Sequence, residues 1–286
     1  MRRRAALAAA VVLLCTACSG DPAPAPARAA APTTAGPTVP AVPGIDAEVV
    51  RLRTDVAVGG QVHVRVTDTG DQPFTITALA LDSPGFEPLP AAPMTAAFAP
   101  RRVIELPVRY GEPRCTAEPA PVAARLTVLR PDGAAQEVRV PLSGDDLDVV
   151  HREECAVAGV LSEAAISLMG LTLEGDEVRG AVVLTRRGSG DRPIVVTDAR
   201  GSVVLDVSAD GLPLELGEGD VEASVAVAFT PATCAPHVLA ETKQPFVFPL
   251  LVAVGDREGV PVPLPVEPAQ VDLFWALVAQ VCEQPA

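Results

Sequence analysis

The residues able to do chemistry are few, because the chain holds only six cysteines and three histidines. The one close cysteine/histidine pair is Cys234-Ala-Pro-His237, a spacing that suits two metal ligands or a thiol activated by imidazole. No second ligand pair accompanies it, and Glu118, three residues after Cys115, holds the matching place upstream, so a surface histidine beside a disulfide is expected and no metal site is assigned. His63 lies in an alternating strand with Val62 and Val64 on the other face, and His151 lies in an acidic helical stretch beside Arg152 and Glu153. No Gly-x-Ser-x-Gly marks a serine nucleophile, so no catalytic residue is assigned. Gly188-Ser-Gly190 is a turn that lacks the lysine and following helix of a phosphate loop, and no cofactor is expected. Phe274 and Trp275 form either a recognition patch or core, and core is the expectation.

The beginning of the chain decides where these residues work. Met1-Arg-Arg-Arg4 is a positive start, and residues 5–14 are apolar but only ten long, too short to cross a bilayer as a helix. Thr16-Ala17-Cys18-Ser19-Gly20 follows at once. Small residues directly before a cysteine resemble the lipobox of bacterial lipoproteins, with Cys15 standing where Leu is commonest. The resemblance implies a signal peptide over 1–17 and acylation of Cys18, with palmitate-type chains anchoring the protein to the extracytoplasmic face of the membrane. Residues 18–44 then read as a tether: the stretch 19–44 has seven prolines and no aromatic residue, which leaves too little apolar surface to offset chain entropy. The net charge of −14 repels phosphate backbones and anionic head groups, so nucleic-acid binding is excluded and the membrane is met through the lipid on Cys18.

Beyond the tether the chain resembles itself. Gly70-Asp-Gln-Pro73 matches Gly190-Asp-Arg-Pro193, and Leu106–Tyr110 and Val225–Phe229 alternate apolar residues up to an aromatic, each followed five residues later by Cys115 or Cys234. Val140-Pro-Leu142 matches Val262-Pro-Leu264, and Cys155 and Cys282 close the two units, giving repeats over 45–158 and 159–286. Alternation of period two predicts strands over 61–66 and 74–79 joined in a hairpin-like connection at Gly70-Asp71, and over 125–129 and 137–140 around Pro131-Asp-Gly133. The second repeat offers strands over 181–185, 194–197, 203–207, 225–229 and 247–254. Helical spacing occurs only at the repeat ends, over 268–282 and, shorter and more acidic, over 144–155, with a short linker at 156–164.

Four cysteines remain after Cys18, and three pairings are open. Homologous units that close their own loops select Cys115 with Cys155 and Cys234 with Cys282, with cross-repeat pairing as the rival. Each bond would close a loop worth on the order of 4 kcal/mol in the chain-entropy model, a stabilising role.

The expected fold is all-β: two tandem immunoglobulin-like sandwich repeats, each ending in a short helix and closed by a disulfide. Such repeats on a lipid tether resemble the accessory lipoproteins of actinobacterial and other bacterial envelopes. That resemblance implies a non-enzymatic binding or scaffolding module for an envelope protein or wall component, acting through sheet edges, loops or the inter-repeat crevice. A small-ligand or metal-binding lipoprotein using that crevice is the alternative reading, and a hydrolase stands third.

Overall fold

A computed structural model describes residues 38–283, so Cys18, the signal over 1–17 and most of the tether lie outside the described residues. The first repeat runs β1 (Ile45–Val50), α1 (Arg53–Val58), β2 (Gln61–Asp68), β3 (Phe74–Asp82), β4 (Ala92–Phe98), β5 (Val103–Arg109), β6 (Ala123–Leu129) and β7 (Ala135–Ser143). Alternation sets the layers: in β2 Val62, Val64 and Val66 are fully buried while Gln61, His63 and Arg65 face outward. The strand order is β4-β3-β6-β7-β1-β2-β5, with β7 antiparallel to β6 and parallel to β1. Strand β7 therefore joins a β1-β2-β5 layer to a β4-β3-β6-β7 layer, and side chains of both fill one core.

The second repeat places β8 (Ala164–Glu174), β9 (Glu177–Arg186) and β13 (Glu222–Pro231) in one sheet. It places β10 (Ile194–Ala199), β12 (Leu214–Leu216), β14 (Pro249–Val254) and β15 (Val260–Pro263) in the other. Apart from β11 (Leu205–Asp210), added beside β13, the orders β8-β9-β13 and β12-β10-β14-β15 reproduce those of the first repeat. The chain is thus all-β, two tandem immunoglobulin-like sandwiches, and the assignment rests on strand order. The hairpin expected at Gly70-Asp71 is not one: β2 pairs with β1 and β5, and β3 pairs with β4 and β6. The matched Gly-Asp-x-Pro segments carry the chain from one layer to the other, which turn chemistry alone does not distinguish from a hairpin. The β6–β7 hairpin around Pro131-Asp-Gly133 forms as expected.

Four further expectations change. The tether does not extend unstructured to residue 44, because Val42 bridges to Ile45 and packs on the first core. Helices are not confined to the repeat ends: α1 and α3 (Pro236–Glu241) are short internal ones. The terminal helix of the first repeat is α2 (Asp146–Glu163), longer than α4 (Pro268–Cys282). Helix α2 therefore runs through the expected linker and through the 158/159 boundary, and β8 begins at the next residue. Its Leu147 and Val150 belong to the first core and its Val160 to the second, so the helix is held from both ends. The disulfides Cys115–Cys155 and Cys234–Cys282 tie α2 and α4 to the loops after β5 and β13, with Cα separations of 5.4 and 5.3 Å.

Helix α1 shows few apolar contacts, and Val56 and Val58 are exposed. One carboxylate organises it: buried Asp55 accepts the Leu52 N–H (2.9 Å), the Gln61 Nε2 amide (2.8 Å) and His63 Nδ1 (2.8 Å). Burial pushes the Asp55 pKa upward, but these hydrogen bonds outweigh it and leave the carboxyl below its ordinary value. Its contribution to stability is therefore full above the unfolded carboxyl pKa of about 3.9 and is lost as pH falls through the lower folded-state value. Asp55→Asn should cost about 1–3 kcal/mol at neutral pH, because the replaced oxygen leaves donors unpaired. Urea midpoints at pH 7 and in acid should show the parent chain losing this advantage as pH falls; equal midpoints at pH 7 would refute the role.

Gly159 separates a helix from a linker. It lies within α2, and a Cβ there would meet nothing within 4 Å. Gly159→Ala should stabilise by up to about 1 kcal/mol, whereas Gly159→Pro should cost about 3 kcal/mol or more by removing a helical bond and clashing with the preceding turn. A flexible linker would respond weakly to both, which denaturation midpoints resolve.

Candidate functional site

Two closely joined loops lie beside the first disulfide. Residues 83–91 follow β3, and residues 110–122 connect β5 to β6. The Glu87 N–H donates to Glu112 O (2.8 Å), the Arg114 N–H to Gly85 O (2.7 Å) and Ser83 Oγ to Pro119 O (2.6 Å). Two glycines allow this approach. A Cβ on Gly85 would stand 2.7 Å from Pro119 Cα, and one on Gly111 would enter the Glu87 carbonyl. Pro84, Pro88 and Pro90 remove backbone freedom from the same loop before it folds.

Helix α2 holds these loops from below. Besides the Cys115–Cys155 bond, the Tyr110 hydroxyl donates to Glu154 Oε1 (2.7 Å). Burial, and next the Glu154 carboxylate accepting its proton, push the Tyr110 pKa well above the usual phenol value, so the hydroxyl stays a neutral donor. His151 is buried edge-on against Phe86 (5.3 Å between ring centroids), with Nε2 3.3 Å from Arg114 O and 3.7 Å from Cys155 Sγ. Phe86 also meets the Tyr110 ring at 5.1 Å.

Above this base is an open cleft of about 330 Å³ lined by Leu81, Phe86, Leu89, Arg109, Arg114 and Arg125, among others. Arg114 makes two parallel bonds to Glu87, Nε to Oε1 and Nη2 to Oε2, both 2.7 Å. The guanidinium holds the Glu87 carboxyl below its ordinary value. Asp82, also in the lining, is paired with Arg139 at 2.5 Å. Arg125 makes one long contact, Nη2 to Leu89 O at 3.4 Å, and Arg109 has no side-chain partner among the described residues. Arg125 thus keeps a planar guanidinium fork available beside an apolar floor, an arrangement that binds oxyanions, while Arg109 stands at the rim with its Nη2 toward Gly60.

The residues singled out from sequence do not gather. His237 is exposed on α3 beside Cys234, which is bonded to Cys282, while His63 is bonded to Asp55. Among the described residues no three His, Cys, Asp or Glu side chains form a metal-ligating group. Phe274 is fully buried, and Trp275 is 38% exposed with its edge on Phe246. The close cysteine/histidine contact belongs to His151 and Cys155, four apart on α2, a spacing readable once that helix is placed. The arginines were missed because each reads alone as a solvated residue. Comparing the repeats could have found them: at an offset of 119, Arg109 and Arg114 correspond to Ala228 and Thr233.

The inter-repeat crevice exists as a groove of about 500 Å³ between α2 and β15, with Ala156, Val157, Val260 and Pro261 in its walls and Glu153 and Glu258 at its rim. Two sheet edges are blunted. Leu264 and Tyr110 donate inward to Phe248 and Gly60, so alternation turns Pro261 and Pro263 of β15, and Pro107 of β5, to the free side. Those positions offer no N–H to an added strand. No helix among the described residues is long and apolar enough to cross a membrane.

No family model and no curated protein matches the chain. Among solved structures it is similar to red sea bream transglutaminase, at 12% identity and TM-score 0.23, over 79% of this chain and 32% of that one, so it spans about a third of that enzyme's length. It is also similar to a protein of unknown function from Porphyromonas gingivalis W83, at 14% identity and TM-score 0.21, over 71% and 89% of the two chains. A partial N-terminal region of the enterococcal surface protein matches at 8% identity and TM-score 0.19, over 76% and 91%.

Proposed function

We propose that the chain is a lipid-anchored protein of the cell envelope, acylated at Cys18 and held on the extracytoplasmic face of the membrane. In this reading it is a non-enzymatic module that binds an envelope protein or wall component in the cleft of its first repeat. One observation carries the choice of site: the cleft is fixed before any ligand arrives. Its walls are pinned by backbone bonds, glycine contacts and a disulfide, while Arg125 is left available beside them and Arg109 stands at the rim. The anchor is supported by the residues around Cys18, and an oxidising compartment is supported by two disulfides in one chain. The groove between α2 and β15 is the alternative place for a small apolar ligand, since its walls are apolar.

Two measurements test this. Metabolic labelling with a palmitate analogue should mark the parent chain and leave Cys18→Ala unmarked; labelling of both would remove the anchor. In-cell crosslinking of the tagged full-length chain should capture a discrete partner that Arg109→Ala/Arg125→Ala loses and Trp275→Ala keeps. Both arginines are at least partly exposed, so the double variant should melt within a few degrees of the parent. Capture unaffected by the arginines but lost with Val157→Glu would move the site to the inter-repeat groove.

A further inference from the structure

We infer that the cleft recognises a single carboxylate carried on a compact apolar body, such as a small apolar acid or the free C-terminus of a peptide ending in an apolar residue. This rests on the reading of the cleft as the binding site. Three features of the lining select that chemistry.

The first is the pairing of charges. Of the charges at the cleft, Arg114 is compensated by Glu87 through a two-bond ion pair, and Asp82 is paired with Arg139 outside the lining. What remains is Arg125, whose one side-chain hydrogen bond among the described residues is a long one to the Leu89 carbonyl, with Arg109 at the rim. A planar carboxylate can accept two parallel bonds from such a fork. A phosphate dianion would bring a second negative charge close to the Asp82 and Glu87 side chains in the lining.

The second feature is the floor. Leu81 and Phe86 are buried beneath the cleft, Leu89 is half-buried, and Pro84 and Pro88 complete an apolar wall. A bare inorganic anion would leave that surface wet, whereas an apolar body beside the carboxylate covers it. A volume of about 330 Å³ is at the small end of ligand sites, enough for one side chain and its carboxylate.

The third is the contrast between the duplicates. Ala228 and Thr233 occupy the places of Arg109 and Arg114 in the second repeat, and the chain as a whole carries −14. Arginines gathered at one loop cluster of an acidic protein mark the place where an anion is locally favoured.

Calorimetry on the full-length chain decides the matter, with N-acetylphenylalanine, its carboxamide, inorganic phosphate, and a tetrapeptide ending in Phe with a free or amidated C-terminus. The acid should bind at least about tenfold more tightly than its amide, since the amide removes a charge-assisted bond. Arg125→Ala and Arg125→Lys should both lose that preference, because lysine supplies charge without the fork. Arg53→Ala, on the exposed face of α1, should keep it. Binding of the free peptide but not the small acid identifies a chain terminus as the source, and binding of both identifies the shared carboxylate; either supports the inference. Equal binding of acid and amide, or phosphate binding as tightly as the acid, overturns it. If no carboxylate binds while crosslinked capture still depends on Arg109 and Arg125, this inference fails and the cleft remains the partner site. If capture does not depend on them, the reading of the cleft itself falls.

Discussion

Helix α2 has to serve two hydrophobic cores at once, and much of the molecule follows from how it does so. Leu147 lies in the first core and Val160 in the second. Thirteen residues at 1.5 Å and 100° each separate them by roughly 20 Å along the axis and about 220° around it. The helix therefore presents different faces to the two sandwiches. A break at Gly159 would uncouple them, but nothing in the surroundings of that glycine demands one. The middle of the helix is then a fixed platform, and His151, Glu154 and Cys155 sit on it. These three residues reach back to Arg114 O, the Tyr110 hydroxyl and Cys115, and so position the loops that carry the arginines.

The duplicates use the space beneath their disulfides differently. In the second repeat Phe229, Phe246, Phe248 and Phe274 meet in pairs at 4.8–5.5 Å, with Phe274 supplied by α4. That is an apolar solution, stabilised by burial and aromatic edges. In the first repeat the same region holds Phe86, Tyr110 and His151, with a phenol-to-carboxylate bond to Glu154. A polar base of this kind is tolerated because its groups are paired, here through the Tyr110–Glu154 and His151–Arg114 contacts. The consequence is directional: the bonds fix where residues 110–114 go, and hence where Arg109 and Arg114 point their loop.

Much of this was legible from residue order, and the rest was not for identifiable reasons. Alternating valines marked β2, and the repeated cysteine spacing paired Cys115 with Cys155 and Cys234 with Cys282. The segment at Gly70-Asp71 misled because a turn between two alternating runs looks the same whether the second strand returns beside the first or crosses to the other layer. The end of α2 misled because glycine is a weak helix residue, although Val157, Val160 and Leu161 continue the helical spacing past it. Helix α1 left no periodic trace, since a single buried carboxylate reaching Gln61 and His63 holds it instead of an apolar face.

The arginine cleft was hidden for a more general reason. Arg109 ends a strand, Arg114 precedes a cysteine and Arg125 opens an outward-facing position of β6, so no local pattern joins them. Only closure of two loops against each other brings them to one cleft, and that closure depends on Gly85 and Gly111 lacking side chains. A functional reading of such a chain must therefore weigh glycines that face another backbone as heavily as charged residues. In this fold the glycines decide which charges become neighbours, and the charges decide only what those neighbours can hold.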